Sequence, residues 1–330
     1  MAVLYEVPPG CWKPEVGIVG SLDPYAPLIE ISQPNLEGPI TITDLEGSTR
    51  MGAEIRRLGF AVIQMNPNWA ADAETTYWLA RDFFDLPQDT KARFEHPGYT
   101  RRSSLPGRNM EISQLPDSND RFMAGGNRDR PDVDDSLVVD LKRAMGKCLT
   151  AGREVFFKLM EQEAEIPDAD PFFGRVARRK IACDQESYHQ LNYFGHDQPN
   201  DIREAGVPLQ VPHIDGTVVT ILSAMGAGGR LAPGLTVELP DKTWALLIPK
   251  PDEAVVSFQM NLANEAPPLK HYVSNPHTYE QRQEIGRISS TLFFNPDAGQ
   301  SQVPKNIYKQ VFDDAQAAFD KQETNGETTH

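Results

Sequence analysis

Apolar residues in this chain follow two different periods, a helical one in the first half and a short alternating one in the second, and the change falls near Pro171. ITITDL, from Ile40, reads as a short strand; Ser48 is placed to cap a helix running to about Leu58, Gly59 stops it, and Phe60–Ile63 reads as a second strand. From about Ala73 to Phe84, Tyr77, Ala80, Phe83 and Phe84 recur at helical spacing until Leu86-Pro87 ends the pattern. Between about Asp134 and Glu163 a third apolar stripe, including Leu137, Leu141, Met145, Phe156 and Leu159, predicts a helix of about 45 Å, long enough to brace a sheet.

Beyond Pro171 the segments 188–194, 217–223, 235–240, 243–249, 253–262, 269–274 and 287–295 are short, β-branched or alternating, and punctuated by Gly and Pro. Such a series argues for a sandwich or jelly roll. The chain is therefore expected to be mainly β with supporting helices. An irregular arm (1–39) precedes a helical and α/β region (40–170), a β-rich core (171–300), and an amphipathic helix over 306–320 followed by a polar tail, within 301–330. Residues 95–133 hold four prolines, four glycines and six arginines and read as a long functional loop.

Composition narrows the function by exclusion. The 330 residues are 39% hydrophobic and 24% charged, which is a globular profile. A net charge of −15 opposes the phosphate neutralisation that nucleic-acid binding requires. Cys11, Cys148 and Cys183 are odd in number and lack CxxC spacing, so no disulfide framework or structural zinc site is indicated. The sequence has no apolar run of membrane-spanning length and no signal-peptide pattern at its N-terminus, which makes a cytoplasmic protein without membrane attachment the expectation.

Candidate chemistry begins at His213-Ile214-Asp215. On an extended chain, residues two apart point to one side, so this imidazole and carboxylate can reach a single metal. His271, in LKHYVSN, is the candidate third ligand, with His277 in the turn-like NPHT as its competitor. Two histidines and a carboxylate leave coordination positions open, which suits Fe(II) oxygen chemistry rather than a closed zinc site. Arg287 and Ser289, again two apart, open the strand RISSTLFFN; a guanidinium fork and a hydroxyl together suit a carboxylate.

In order and context these pieces resemble the isopenicillin N synthase-like family of Fe(II)- and 2-oxoglutarate-dependent dioxygenases. HIDGTVVTIL resembles the family's metal-binding tripeptide and following strand, LKHYV the distal histidine strand, and RISSTLFFNP the strand that ends in Asn-Pro. GLTVELPDKTWALLIPKPDEAVVSF resembles the strands between them, and LNYFGHD the strand before the tripeptide. EIRRLGFAVI and FFDLPQDTKARF are similar to the family's opening elements, so the resemblance runs from about residue 40 to 296. Two departures stand out: Tyr272 follows the distal histidine where the family usually has Arg, and Met260-Asn261-Leu262 occupies the place of a Gly-Asp pair.

The resemblance implies a double-stranded β-helix, or jelly-roll, catalytic core. It implies Fe(II) on His213, Asp215 and His271, 2-oxoglutarate gripped at its far end by Arg287 and Ser289, and O₂ as the second cosubstrate. Asn192 and Tyr193 are placed by position at the cosubstrate. In the long loop, Tyr99, Arg101, Arg102, Arg108 and Arg121 are candidates to line a substrate pocket, and their charge would suit a carboxylated small molecule. Hydroxylation, desaturation, cyclisation and ring expansion are all open as outcomes, with secondary-metabolite biosynthesis as the expected setting and a monomer or weak homo-oligomer as the expected state. Competing expectations are an oxidase of the same fold that dispenses with 2-oxoglutarate, a non-catalytic jelly roll, and a zinc hydrolase on the same ligands.

Overall fold

Helix α1 (Leu45–Leu58) carries Arg56 and Arg57 in its last turn, where positive charge complements the helix C-terminus. Gly59 then turns the chain at φ 87°, its N–H donating to the Ile55 carbonyl at 2.7 Å, and strand β2 (Phe60–Gln64) leaves directly. Ser48 lies within α1 rather than at its cap, because the helix is already formed at Leu45. Helix α2 (Pro67–Phe84) begins earlier than the apolar spacing predicts. Asn66 caps it by accepting from the Trp69 N–H at 2.9 Å, and Pro67 fits a first turn that needs no N–H from it. After the short α3 (Gln88–Ala92), helix α4 (Ser136–Glu165) starts where Asp135 Oδ1 accepts from the N–H groups of Leu137 and Val138.

The computed structural model describes residues 40–41, 45–94, 99–102, 119–125, 135–165, 186–194, 209–215, 217–226, 234–240, 244–247, 249–258, 268–273 and 286–295. The expected N-terminal arm, C-terminal helix and polar tail lie outside the described residues, as does His277. Among the described residues no helix is long and apolar enough to cross a membrane.

The remaining strands are β1 (Ile40–Thr41), β3 (Tyr99–Arg102), β4 (Asn119–Ala124), β5 (Tyr188–Tyr193), β6 (Gln210–His213), β7 (Val219–Met225), β8 (Leu235–Glu238), β9 (Trp244–Leu247), β10 (Glu253–Phe258), β11 (His271–Val273) and β12 (Ile288–Phe294). They form an eight-stranded sheet in the order β1-β2-β10-β7-β12-β5-β4-β3 and a four-stranded sheet in the order β6-β11-β8-β9. Every pairing is antiparallel except β1 with β2. From β5 to β12 the chain crosses repeatedly between the sheets, with only β8 and β9 consecutive in one of them. Three strands differ from expectation: β3 and β4 extend the large sheet from within the stretch read as a loop, and β6 carries His213 where the sequence reading places no strand. All three follow from pairing with neighbours already in place, which overrides the weak local propensity of short polar segments.

One face of the large sheet is covered by the helices. Ile221, Val256, Leu292 and Phe294 pack there with Met51, Cys148 and Phe156, and Phe156 stacks on Phe294 at 5.4 Å. Gly152 of α4 has no Cβ to hold the helix away from Leu292 and Phe294, which explains how closely that helix lies on β12. The other face looks toward the small sheet. At one end of that interval Phe60, Val62 and Val255 close on Leu235, Val237, Ala245 and Leu247 in a smaller apolar cluster. The polar residues sit elsewhere on the same inward face.

Candidate metal centre and carboxylate pocket

The backbone puts His213 and His271 side by side. They are direct partners across β6 and β11, and their rings lie 4.4 Å apart at 52°. Asp215 follows β6 by two residues and reaches both, with Oδ1 at 3.4 Å from His213 Nε2 and Oδ2 at 3.7 Å from His271 Nε2. The three donor atoms all lie within 4.8 Å of one another, and this is the one cluster of metal-ligating side chains found among the described residues. A cation bound at roughly 2.1 Å would hold neighbouring donors about 3 Å apart, so a short inward movement of the side chains suffices. Two imidazole nitrogens and one carboxylate oxygen fit Fe(II), with positions left for exogenous ligands.

Hydrogen bonds around the cluster present these donors. His271 Nδ1 donates to the Leu269 carbonyl at 3.1 Å, which turns Nε2 toward Asp215 as the ring nitrogen a metal would take. Thr220 Oγ1 donates to Asp215 Oδ2 at 3.0 Å; since that spends its only proton, Thr217 must donate to Thr220 across their 3.0 Å contact. Burial alone would push the Asp215 carboxyl up. The charges of His271 and His213, a hydrogen bond from His213 and the Thr220 hydroxyl outweigh it and hold the group at about 2. Burial lowers His271 in turn, against the pull of Asp215, favouring the neutral imidazole that a metal needs.

Gln210 is a neighbour of the site that the sequence reading misses. Its side-chain amide reaches His213 Nε2 at 3.3 Å although residues three apart normally face opposite sides of a strand. The register explains it: His271 pairs with His213 while Val273 pairs with Gln210, so β6 spends one more residue than β11 over the same interval. Such a bulge re-aims a side chain, and no spacing rule announces it. Thr217 and Thr220 escape for the ordinary reason that threonine in a strand is common.

Arg287 and Ser289 lie in and just before β12. Both are buried, Arg287 being only 4% exposed. The Arg287 guanidinium lies over the Phe194 ring, 4.7 Å from its centre, and against Gly234. Burial lowers its pKa to about 10, so the side chain remains a cation at neutral pH. Ser289 is paired in register with Asn192 on one side and Ala224 on the other, and Asn192 pairs in turn with Arg121. The Asn192 amide donates to Ser289 Oγ at 3.2 Å and is itself fixed by the Gln190 amide, which donates to Asn192 Oδ1 at 2.8 Å.

The structure therefore brings Asn192, Ser289 and partly exposed Arg121 into one inward-facing row. Tyr193, expected beside Asn192 at the cosubstrate, is set apart from that row. Successive residues of a strand face opposite sides, and Tyr193 stacks on Phe84 at 5.2 Å in the cluster beneath α2 and α4. Tyr99, Arg101 and Arg102 lie on the outermost strand, paired in register with Phe122, Asp120 and Asn119. Arg108 lies outside the described residues.

No protein-family model and no curated protein matches the sequence. Solved structures do match in shape. A full-length Neurospora crassa protein in complex with alpha-KG is 18% identical, with a TM-score of 0.56 over 83% of this chain and 91% of that one. The rice dioxygenase for auxin oxidation is 18% identical, with a TM-score of 0.52 over 77% and 79% of the two chains. JOX2, in complex with 2OG, Fe and JA, is also 18% identical, with a TM-score of 0.54 over 79% and 75%. At this identity the likeness establishes the fold, and the chain has a mostly antiparallel, helix-supported β fold in common with these proteins.

Proposed function

We propose that this chain is an Fe(II)- and 2-oxoglutarate-dependent oxygenase that oxidises a C–H bond of a small molecule, with residues 171–300 forming a double-stranded β-helix catalytic core. The observation that carries this reading is the convergence of His213, Asp215 and His271 on one point of the inward face that also holds Arg287 and Ser289. Thr220, which bonds Asp215, and Ser289 lie on the same face along the adjacent antiparallel strands β7 and β12. A short diacid laid along these strands meets the metal ligands at one end and a cation with a hydroxyl at the other. The fold shared with the Neurospora crassa protein and JOX2, whose structures contain alpha-KG and 2OG, supports the same reading.

In this reading His213, Asp215 and His271 hold the metal, and Arg287 and Ser289 bind the distal carboxylate by a charge-assisted pair and a hydroxyl hydrogen bond. Asn192 orients Ser289 through the 3.2 Å bond. Arg287 and Ser289 are buried, which strengthens their interactions with a carboxylate relative to water. When bound, Fe(II) with 2-oxoglutarate and O₂ supplies the oxidising power for C–H cleavage, with succinate and CO₂ as coproducts. Arg121, partly exposed and in register with Asn192, would meet an anionic group of the substrate in this reading. A place in secondary metabolism rests on the family resemblance.

The test is succinate formation by the purified chain in air. Succinate that requires both added Fe(II) and 2-oxoglutarate, and disappears in Arg287→Leu, supports the assignment. O₂ consumption that is indifferent to 2-oxoglutarate contradicts it.

A further inference from the structure

Arg287 does not reach its position alone. The Phe194 N–H donates to the Arg287 carbonyl at 2.9 Å, so the aromatic ring and the guanidinium leave hydrogen-bonded neighbouring strands. The ring is held from behind by Leu209 and Val273, with which it forms a separate buried cluster, and the Leu209 N–H is tied to the Val273 carbonyl at 2.8 Å. A phenyl face 4.7 Å from the guanidinium carbon is within cation–π range. Gly234 lies against the same side chain. A Cβ there would stand 3.0 Å from Arg287 Nε, 3.3 Å from Cζ and 3.4 Å from Cδ, and the backbone at φ 152° is one that side-chain-bearing residues rarely adopt. A buried cation with four rotatable bonds is thus confined by a ring it packs on and a backbone it nearly touches.

We propose that Phe194 and Gly234 are positioning residues that set the direction and reach of Arg287, and through it the selectivity of the site for a 2-oxo diacid over a 2-oxo monoacid. The inference rests on the function proposed above and deepens it. The Phe194 side chain offers no hydrogen bond, so it acts on the distal carboxylate only by aiming the guanidinium. In the reading above the metal-binding end of a keto acid lies at His213, Asp215 and His271, whereas Phe194 and Gly234 pack on the guanidinium that meets its distal end. Loss of the ring or filling of the glycine space therefore penalises a ligand with a distal carboxylate and spares one without.

The experiment measures dissociation constants of 2-oxoglutarate and pyruvate for the full chain loaded with Fe(II) under nitrogen, by calorimetry and, for the weaker acid, ligand-observed NMR. Phe194→Leu and Gly234→Ala are expected to weaken 2-oxoglutarate about tenfold and pyruvate less than about twofold, while Phe194→Tyr, which keeps the ring, retains wild-type selectivity. Unchanged 2-oxoglutarate affinity in both weakened variants, an equal loss for both acids, or a Phe194→Tyr as impaired as Phe194→Leu overturns the positioning role and leaves the proposed function standing. A wild-type protein that does not prefer 2-oxoglutarate over pyruvate overturns the proposed function and this inference with it.

Discussion

The two faces of the large sheet are built from the same strands yet treat polar residues in opposite ways, and a pair of buried histidines shows the difference. His189, under the helices, has both nitrogens occupied: Nδ1 faces the Met145 carbonyl at 3.2 Å and Nε2 the Ser290 hydroxyl at 2.7 Å. Burial drives its pKa down to about 4, so it is a neutral peg between α4 and β12. His271, between the sheets, ties down Nδ1 and turns Nε2 toward a carboxylate. The neighbours Asn192 and Tyr193 divide in the same way, one bonded to Ser289 and one stacked on Phe84. Full satisfaction marks a structural polar group, whereas a donor held by one bond with its other atom aimed at a cluster marks a binding group.

The contrast is broken most severely at the metal ligands. His271→Ala or Asp215→Ala should lower Fe(II) affinity at least about 100-fold with little change in melting temperature, since loss of an outer hydrogen bond to a ligand already costs roughly 10–100-fold; iron analysis after anaerobic dialysis reads the result. The helix-facing histidine should behave in reverse. His189→Gln leaves iron affinity intact and destabilises the fold by about 2 kcal/mol at pH 7, through the poorly paired Ser290 hydroxyl and Met145 carbonyl.

That penalty depends on pH with a definite sign. The pKa of His189 falls from 6.5 to about 4 on folding, so between these values the unfolded chain binds the extra proton. Its contribution is complete above about pH 6.5 and is lost as pH falls toward 4, a change of about 3 kcal/mol. Denaturant titrations of wild type and His189→Gln should therefore converge near about pH 5 and cross below it. A smaller effect separates the adjacent residues of β5: Asn192→Ala is expected to weaken 2-oxoglutarate binding by up to about tenfold, as the Ser289 hydroxyl loses the hydrogen bond that orients it. Tyr193→Phe, which keeps the stacked ring, should leave it unchanged in the same calorimetric titration.

The strands and long helices were legible because their apolar residues keep a regular period over many positions. His213, Asp215 and His271 were legible because two lie at strand spacing and the third stands in a strand-like segment of its own. What escaped depends on pairing between distant segments. Gln210 meets His213 only because β6 bulges against β11, and β4 is a strand because β5 is there to bind it. Adjacency groups Tyr193 with Asn192, although period-two alternation assigns neighbours to opposite faces; the register then shows which of the two faces the site. Phe194 and Gly234 carry no motif, and their meaning appears only once Arg287 is seen between them.

The central claim, one Fe(II) site completed by a 2-oxo diacid, is tested most directly by anaerobic titration of the purified chain with Fe(II) in the presence and absence of 2-oxoglutarate. The account predicts one Fe(II) per chain, tighter binding of the metal when 2-oxoglutarate is present, and no such site in His271→Ala. Iron binding that survives His271→Ala, or that 2-oxoglutarate does not tighten, would contradict it.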